Sequence, residues 1–363
     1  MRIVTILGTR PEVIRLSLLT RLLDDWASKH TIVHTGQNFA WSLNGIFYDQ
    51  LGLRLPDVQL DHREETVGRQ LASTFGAIED VLRREKPDRV LVLGDTNSAL
   101  CALVAERMGI PVAHMEAGNR CFDLSVPEEK NRRVIDAVST INLPYTENSK
   151  NNLLREGFPV QRIVLSGNPI REVLEHYAPR IESSSILEKL GLEPGRYLLA
   201  TLHRAENVDN REHLIAIMQG LRATVEQQGL RLICSTHPRT RSRLSQLEPE
   251  LEHPLLEFHE PFGFFDFVHL EKHARLVLTD SGTVQEECCI YQVPTVTIRR
   301  TTERPETVDC GSNVVTGLHA GRIADSVNAM ISVQGSWTPP QGYMELGVAR
   351  KVAKYLLGGN MDV

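Results

Sequence analysis

The stretch of sequence that decides the fold spans residues 93–131. It begins LGDTNSAL (93–100), passes through a helix-like segment and resumes as PVAHMEAGNRCFDLSVPEEKN (111–131). Apolar runs at 89–93 and 110–114 precede its polar residues and are typical of buried strands. Because such strands alternate with helical segments, the pattern predicts a parallel sheet with helices on both faces.

Three acids in this stretch are the candidate catalytic residues. Asp95 and Glu116 each follow one of the two strands, and Glu128 follows Pro127, where a helix is expected to begin. Because ligands bind at the carboxyl ends of strands in an open α/β sheet, we expect the three acids to converge on one small molecule. Neighbouring carboxylates in such a cleft can divide the roles of general acid and general base. Each acid alone would be an ordinary helix cap or surface charge, but the three together favour catalysis.

The rest of the chain repeats this alternation of strands and helices. In the first half we predict strands at residues 2–7, 31–35, 89–93, 111–114 and 141–143, and helices at 11–26, 65–84, 98–108, 128–138 and 147–155. A last strand of this half is expected at 162–170. In the second half we predict strands at 197–202, 230–235, 255–258, 276–279 and 295–298, with helices in the intervals.

A polar stretch at residues 177–195 marks the junction between two domains, since it contains Pro179, Pro194 and a serine cluster. We therefore expect an α/β protein with two Rossmann-like doubly wound domains that face each other across a cleft. The first is expected at residues 1–172 and the second at 173–345. A last helix at 346–357, in the segment 346–363, is expected to pack back on the first domain.

The composition is that of a soluble globular protein. The chain has 363 residues and a net charge of -6, and its basic residues are scattered, which argues against a nucleic-acid partner. No apolar run approaches the length of a membrane span, and the start MRIVTILG is too short for a signal-peptide core. The six cysteines show no CxxC spacing, so we expect a reduced, cytoplasmic protein.

Two strand–helix junctions have residues suited to phosphate groups. In GTRPE (8–12), a helix start offers free N–H groups and Arg10 adds a cation. It matches neither a Walker A loop nor GxGxxG, so ATP hydrolysis and dinucleotide binding are poorly supported. A tight turn with a surface arginine would explain this junction equally well.

The second junction is TDSGT (279–283), where Ser281, Gly282 and Thr283 open a helix. Glu287 follows Ser281 by a little under two helical turns, a distance at which it can accept hydrogen bonds from a ribose diol. Two phosphate-suited helix starts, one in each domain, predict a nucleoside diphosphate that spans the cleft.

Other side chains are weaker candidates. His203 ends a strand and can donate to a diphosphate leaving group, unless it is an ordinary strand-end histidine. Arg304 precedes a proline and can contact phosphate or sugar. An aromatic cluster contains rings that can flank a base, although most such rings belong to the core: Phe262, Phe264, Phe265 and Phe267. His269 and His273 have the i, i+4 spacing of metal ligands, but no third ligand is apparent, which favours a packing or surface role and no metal.

Together the motifs resemble the non-hydrolysing UDP-N-acetylglucosamine 2-epimerase family. They occur in the family's order over nearly the whole chain: GTRPE (8–12), GDT (94–96), HMEAG (114–118), PEE (127–129), HR (203–204), TDSG (279–282), QEE (285–287) and TERPE (302–306). The resemblance implies two Rossmann-like domains arranged as in GT-B glycosyltransferases. It implies inversion at C2 of a UDP-2-acetamido sugar, in which UDP is eliminated to give a 2-acetamidoglucal and is then added back.

The same resemblance implies roles for individual residues. Asp95, Glu116 and Glu128 would be the acid/base set, and Arg10, His203, Arg304 and the helix start at Ser281 would stabilise the departing UDP. The family needs neither a metal nor a nicotinamide cofactor. Its members bind a UDP-2-acetamido sugar and UDP and are commonly homodimers.

The chain departs from the family pattern in two places and leaves its substrate open. Arg15 stands where the family usually has lysine, and SGT (281–283) stands for SGG. HTGQN (34–38) and the residues after HMEAG resemble the sequences of the branch that converts UDP-2-acetamido-2,6-dideoxy-L-talose to UDP-N-acetyl-L-fucosamine. UDP-N-acetylglucosamine therefore remains one of two candidate substrates. The alternative activities are a GT-B-like glycosyltransferase, a hydrolysing epimerase that releases free UDP, and a silent nucleotide-sugar binder.

Overall fold

The computed structural model describes residues 1–36, 41–60, 64–236, 238–244, 246, 253–333 and 335–361. The chain forms two compact units, Met1–Glu175 with Gln341–Val363 and His176–Pro340. Their boundary lies close to residue 172, the expected end of the first domain. Residues 341–345, expected in the second domain, belong to the first unit. Gln37 and Asn38 of the HTGQN motif lie outside the described residues.

The first unit is built on a sheet of six parallel strands in the order β3-β2-β1-β4-β5-β6. The strands are β1 (Arg2–Leu7), β2 (Lys29–His34), β3 (Val58–Gln59), β4 (Arg89–Leu93), β5 (Val112–Met115) and β6 (Ile141–Leu143). Strands β4, β5 and β6 are buried along their whole length, as expected of a sheet covered on both faces. This strand order is that of a doubly wound Rossmann sheet.

Eight helices of the first unit are described. They are α1 (Arg10–Trp26), α2 (Trp41–Leu51), α3 (Val67–Glu85), α4 (Ala102–Arg107), α5 (Pro127–Val138), α6 (Glu147–Arg155), α7 (Ile170–His176) and α17 (Val348–Gly358). Helix α17 comes from the end of the chain and packs on α1. Arg89 holds its last turn, since the guanidinium donates to the carbonyls of Tyr355 at 2.9 Å, Leu356 at 2.8 Å and Gly359 at 2.6 Å.

The strand expected at residues 162–170 is wrong. A single 3₁₀ turn (Val160–Arg162) leads into one isolated bridge between Asn142 and Ile163. The backbone continues beside β6 as far as Ser166, whose N–H donates to the carbonyl of Pro144 at 2.9 Å. It turns away at Gly167, which has a φ of 87°, and Pro169 follows. The helix expected at 98–108 also differs, since it begins with a 3₁₀ turn (Ala99–Cys101) before α4.

The second unit repeats the architecture of the first. Its six parallel strands have the order β12-β11-β10-β7-β8-β9, which is the same Rossmann order read from the opposite edge. The strands are β7 (Tyr197–Leu202), β8 (Arg231–Thr236), β9 (Leu256–His259), β10 (Leu276–Thr279), β11 (Thr295–Thr297) and β12 (Asn313–Val315). The helices are α8 (Ala178–Glu182), α9 (Ile186–Leu190), α10 (Ala205–Val208), α11 (Arg211–Gln228), α12 (Pro238–Leu244), α13 (Phe264–His273), α14 (Gly282–Tyr291), α15 (Pro305–Asp309) and α16 (Ala320–Ser332).

Each sheet has a point at which the strand order reverses. In the first unit this point lies between β1 and β4, and in the second it lies between β7 and β10. Ligands of doubly wound sheets bind outside the carboxyl ends of the strands at such points. The loops that follow these four strands contain GTRPE, GDT, HR and TDSG, so the motifs found in the sequence occupy both positions. In the part of the chain that the structure describes, no helix is both long and apolar enough to cross a membrane.

Candidate active site

Glu12 joins the GTRPE loop to the GDT loop at the β1/β4 reversal point. Its carboxylate accepts hydrogen bonds from the backbone N–H of Gly8 at 2.9 Å and of Thr9 at 2.6 Å, and from Thr96 Oγ1 at 2.9 Å. Burial raises the pKa of Glu12 to about 7, although the donated hydrogen bonds act in the opposite direction. The sequence analysis did not single out Glu12. The signal was available in the capping-box pattern T-x-x-E, which begins at Thr9.

A glycine is required at the end of β1. A Cβ atom on Gly8 would lie 2.2 Å from Ser98 Oγ and 2.3 Å from Thr35 Oγ1, so only glycine lets these loops approach. Arg10 lies in the first turn of α1, half-buried, with its guanidinium carbon 5.5 Å from the centre of the Phe47 ring. Burial lowers the pKa of Arg10.

Asp95 and Glu116 lie at the ends of the neighbouring strands β4 and β5, as the sequence analysis expects. The two strand ends are joined by a hydrogen bond of 3.0 Å from the N–H of Gly94 to the carbonyl of Met115. Glu116 itself has a φ of 70°, in the left-handed region that a glutamate rarely adopts. A strained backbone at the end of a strand is typical of residues whose side chain has a functional orientation.

Each of these two acids is paired with a buried arginine. Arg132 forms an ion pair with Asp95, and Arg15 forms an ion pair with Glu116. The Arg15 side chain is 2% exposed, and its guanidinium carbon lies 5.7 Å from the centre of the Tyr145 ring. Arg15, expected among the substrate-binding residues, is therefore also the counter-charge of Glu116.

Glu128 is attached to the same edge through helix α5. It is half-buried in the first turn of this helix. In the same helix, Asn131 donates to the carbonyl of Asp95 at 3.0 Å, and Arg132 pairs with the Asp95 carboxylate. The structure thus gathers the elements that carry the three acids at one edge of the first sheet.

A buried network holds the HMEAG loop and was missed in the sequence. His114 lies in β5 with Nε2 2.8 Å from the carbonyl of Gly94 and Nδ1 2.9 Å from Asp136 Oδ1. Arg120 Nη1 lies 2.8 Å from the other oxygen of Asp136. Burial alone would raise the pKa of Asp136, but His114 and Arg120 lower it below its usual value. The available signal was an acid four residues after Arg132, on the buried face of an amphipathic helix.

In the second unit, His203 follows β7 and is fixed by Asp280, which follows β10. His203 Nδ1 lies 2.9 Å from Asp280 Oδ1. Asp280 also accepts from the backbone N–H of Arg204 at 3.0 Å and from Asn207 Nδ2 at 3.1 Å. Burial would raise the pKa of Asp280, yet the charge and hydrogen bond of His203 and the remaining donors lower it to about 2. Because an ionised Asp280 can only accept, His203 Nδ1 donates to it, and Nε2 of the half-exposed ring can donate to an anion when the imidazole carries both protons.

The start of α14 packs directly against the TERPE loop. Ser281 is the N-cap residue, and Thr283 lies half-buried in the first turn. A Cβ atom on Gly282 would lie 2.9 Å from Glu303 Oε1 and 3.4 Å from Arg304 Cζ, so glycine is needed for this approach. These residues, expected to bind a diphosphate, lie together at the β7/β10 reversal point with His203.

Arg304 lies beside this helix start but is engaged within the protein. It is 4% exposed and forms an ion pair with Glu286 of α14. The neighbouring Glu303 pairs with Arg204 at 2.9 Å and Arg299 at 2.7 Å. Arg304 therefore fixes α14 against the TERPE loop.

Glu287, expected to bind a ribose, is one half of a pair of buried carboxyl groups. It is 4% exposed, and its partner Glu271 on α13 is fully buried. Burial and the charge of Glu287 raise the pKa of Glu271 well above its usual value. Phe262 and Phe267 are partly buried and pack against the core of the second unit, and the Phe262 ring centre lies 5.6 Å from that of His259.

The two parallel sheets, with polar groups gathered at both reversal points, define a protein of the GT-B-like class. The fold of WaaG, a glycosyltransferase involved in lipopolysaccharide biosynthesis, matches 99% of this chain and 100% of that chain with a TM-score of 0.62 at 11% identity. The expected fold class is thereby confirmed.

Within this class, the chain belongs to the UDP-N-acetylglucosamine 2-epimerase family, whose model matches residues 21–357. This family membership confirms the expectation of an isomerase. A UDP-N-acetylglucosamine 2-epimerase of Methanocaldococcus jannaschii is 41% identical over 94% of this chain and 95% of its own length. A UDP-2,3-diacetamido-2,3-dideoxy-D-glucuronate 2-epimerase of Pseudomonas aeruginosa is 37% identical over 98% of this chain and 99% of its own. The crystal structure of the M. jannaschii enzyme in complex with UDP-GlcNAc and UDP matches with a TM-score of 0.93 at 39% identity, over 98% of this chain and 99% of that chain.

Proposed function

We propose that the protein inverts C2 of a UDP-2-acetamido sugar without net hydrolysis. The observation that carries the proposal is the pair of acids Asp95 and Glu116, which occupy neighbouring strand ends and are each paired with a buried arginine. Two carboxylates at one edge supply the two groups that inversion needs, one to remove a proton and one to return it. Family membership and the motif order support the same reaction.

The chemistry requires that UDP leave early. No carbonyl adjoins C2, so the C2 proton is weakly acidic until positive charge develops at C1. As the bond from C1 to the UDP oxygen breaks, its electron pair leaves with UDP, and nearby carboxylates stabilise the charge at C1. A carboxylate then takes the C2 proton, and the C2–H electrons form the C1=C2 double bond of a 2-acetamidoglucal. Re-addition of UDP, with the proton delivered to the opposite face, gives the epimer.

We assign the acid/base roles to Asp95, Glu116 and Glu128. Glu128 is included because helix α5, which carries it, is bonded to Asp95 through Asn131 and Arg132. The arginines paired with Asp95 and Glu116 offset part of their negative charge and fix their orientation.

We assign the nucleotide to the groups at the β7/β10 reversal point. As an imidazolium, His203 would donate from Nε2 to the departing diphosphate, and the α14 start at Ser281, Gly282 and Thr283 would bind its oxygens. Glu287 would accept from the ribose, and Phe262 or Phe267 would flank the base. Arg10 would add a cation to the diphosphate. Arg304 would act chiefly by holding the α14 start in place, because it already pairs with Glu286.

The substrate we propose first is UDP-N-acetylglucosamine, with UDP-N-acetylmannosamine as product. UDP-2-acetamido-2,6-dideoxy-L-talose is the alternative substrate, which the HTGQN motif (34–38) and the residues after HMEAG favour. The P. aeruginosa relative, by its name, acts on a third sugar, so relatives of similar identity differ in the sugar they use. The homodimer and the cytoplasmic location stay predictions.

Proton NMR of the protein in deuterated water tests this proposal. With UDP-N-acetylglucosamine, we expect deuterium to enter at C2 while UDP-N-acetylmannosamine appears. The amount of free UDP should not exceed that of the enzyme. Exchange only with one of the other two sugars would keep the reaction and reassign the substrate. Accumulation of free UDP with free sugar would identify a hydrolysing enzyme. Absence of exchange with all three sugars would contradict the proposal.

Substitution of the two strand-end acids tests their roles. Asp95→Asn and Glu116→Gln are expected to lower turnover about 10²–10⁴-fold, because each removes a general acid or base. UDP binding, measured by calorimetry, should stay within a few-fold of the wild type. Glu147→Gln, at an exposed position in α6, is the matched control and should keep full turnover. Loss of UDP binding in step with activity would argue against catalytic roles for these acids.

A further inference from the structure

A side-chain cluster in the second unit has the composition of a transition-metal site. His269 and His273 lie one turn apart on α13, with ring centres 4.6 Å apart. The sequence offered no third ligand, but the fold brings Glu182, at the end of α8, to the same place. One ligand atom from each of the three residues lies within 4.8 Å of the others.

His269 is held in a position where it needs a partner. Its side chain is 7% exposed, and no described residue forms a hydrogen bond with its Nδ1 atom. A buried polar nitrogen without a partner costs free energy, and a bound cation would satisfy it. His273 is half-buried beside it and Glu182 is exposed, so the cluster opens from a buried nitrogen to the surface.

The packing of α8 on α13 fixes the third ligand. Ser184 Oγ, just after α8, donates to Asp266 Oδ1 of α13 at 2.5 Å. Arg180 lies 4.4 Å over the ring of Phe265, and the rings of Tyr177 and Phe264 meet edge to face at 6.3 Å. Several independent contacts therefore hold Glu182 beside the two histidines.

We propose that Glu182, His269 and His273 form a site for Zn²⁺ or a similar divalent transition-metal ion. Two imidazoles and one carboxylate are a ligand set that Zn²⁺ accepts, with water in the fourth position. Ligand atoms at about 2.1 Å from one ion lie closer together than 4.8 Å, and small side-chain rotations of the exposed Glu182 and the half-buried His273 can close that gap. The ion would link α8 to α13, which also carries Glu271 and Phe267. Its role is to stabilise this pair of helices, and the inferred chemistry at C2 makes no use of it.

Lys272 gives the proposal a distinctive consequence. Its ammonium group forms an ion pair with Glu182, and both side chains are partly exposed. A metal ion would compete with this cation for the carboxylate. Lys272→Gln should therefore bind Zn²⁺ about 3-fold more tightly than the wild type, whereas removal of a ligand should weaken binding.

The test is titration of the untagged, full-length protein with Zn²⁺ against a chromophoric chelator. We expect one equivalent to bind with a Kd of about 1 µM or tighter. His273→Ala and Glu182→Gln should weaken binding by at least about 100-fold, since loss of supporting groups around a metal already costs 10–100-fold. His259→Ala is the matched control, because His259 also lies beside a glutamate, 3.2 Å from Glu257, in the same unit.

Circular dichroism of each variant separates a lost site from a lost fold, and the half-exposed His273 serves if the buried His269→Ala fails to fold. Co²⁺ absorption then identifies the ligands, since cysteine ligation adds an intense charge-transfer band that histidine and glutamate lack. Weak binding by the wild type, above about 100 µM, would overturn the proposal. Unchanged binding by His273→Ala and Glu182→Gln would overturn it as well, as would a thiolate band.

Discussion

Arg15 and Glu116 come from helix α1 and from the end of strand β5, 101 residues apart, and both are almost entirely withdrawn from water. Removing two charges from water costs several kcal/mol, which their attraction offsets only when the geometry is good. Arginine suits this place because its planar group can face a carboxylate and lie over the Tyr145 ring at once. The lysine usual in the family would keep the charge and lose the planar contact.

Substitution of Arg15 measures what the pair contributes. Arg15→Ala removes the cation of a buried ion pair and should lower the free energy of unfolding by about 3 kcal/mol in urea denaturation. Arg15→Lys should lose less than half of that. The control is Arg83→Ala, which breaks an exposed pair with Glu79 and should cost below about 1 kcal/mol. Equal losses in Arg15→Ala and Arg83→Ala would show that the buried pair is energetically ordinary.

At the scale of elements, helices α13 and α14 meet through two carboxyl groups, Glu271 and Glu287, and not through a carboxylate and a cation. Glu271 is fully buried, and no described residue donates a hydrogen bond to either of its carboxyl oxygens. Burial and the neighbouring charge of Glu287 raise the pKa of Glu271 well above 4.5. A protonated Glu271 can donate to Glu287, and this would orient the carboxylate that we assign to the ribose.

The pair makes stability depend on pH in a defined direction. Because the pKa of Glu271 is raised in the folded state, its protonated form stabilises the protein fully below 4.5, and this stability is lost as the pH rises towards the folded-state pKa. Glu271→Gln keeps a neutral donor that does not titrate. The Tm of this variant minus that of the wild type should therefore be larger at pH 8 than at pH 5.

The exposed Glu193→Gln is the control for this comparison and should show no such trend. UDP affinity of Glu271→Gln should stay near the wild-type value, because its amide can still donate to Glu287. The same Tm difference at both pH values would show that Glu271 is ionised in the folded protein.

At the scale of the whole molecule, the sequence predicted ten of the twelve described strands and missed two short strands at sheet edges. Strands β1, β4, β7 and β10 have the expected bounds because each is a largely apolar run at the centre of its sheet, where helices cover both faces. Strands β3 and β12 were not predicted, since β3 has only two residues and both strands are partly exposed, whereas β6, as short as β12, is fully buried.

The site was predictable in part for a similar reason. The acids could be named because each follows a predicted strand or begins a predicted helix. Their ion pairs could not be predicted, because Arg15 and Arg132 come from distant positions that only the folded topology brings near the two acids. The same holds for Glu271, whose effect on Glu287 depends on the packing of two helices.

One arginine holds the last turn of the helix that returns to the first unit. Arg89 donates three hydrogen bonds to the last carbonyls of α17, and Arg89→Met would leave these carbonyls without their donor. Each charged hydrogen bond contributes about 1.5–3 kcal/mol, so α17 should open far more often. Hydrogen exchange should accelerate in the amides of α17 and stay unchanged in α16 of the second unit, which is the internal control. Unchanged exchange in α17 would show that its packing on α1 is sufficient.

The placement of α17 in the first unit also bears on how the protein is made. Residues 341–361 leave the ribosome after the whole of residues 176–340, yet they complete the unit that begins at Met1. At about 5–20 residues per second, the nascent first unit waits roughly 10–30 s with the α17-facing side of α1 uncovered, while the second unit can already fold. The second unit can therefore finish folding before the first. During that interval the incomplete first unit exposes an apolar surface that chaperones can recognise.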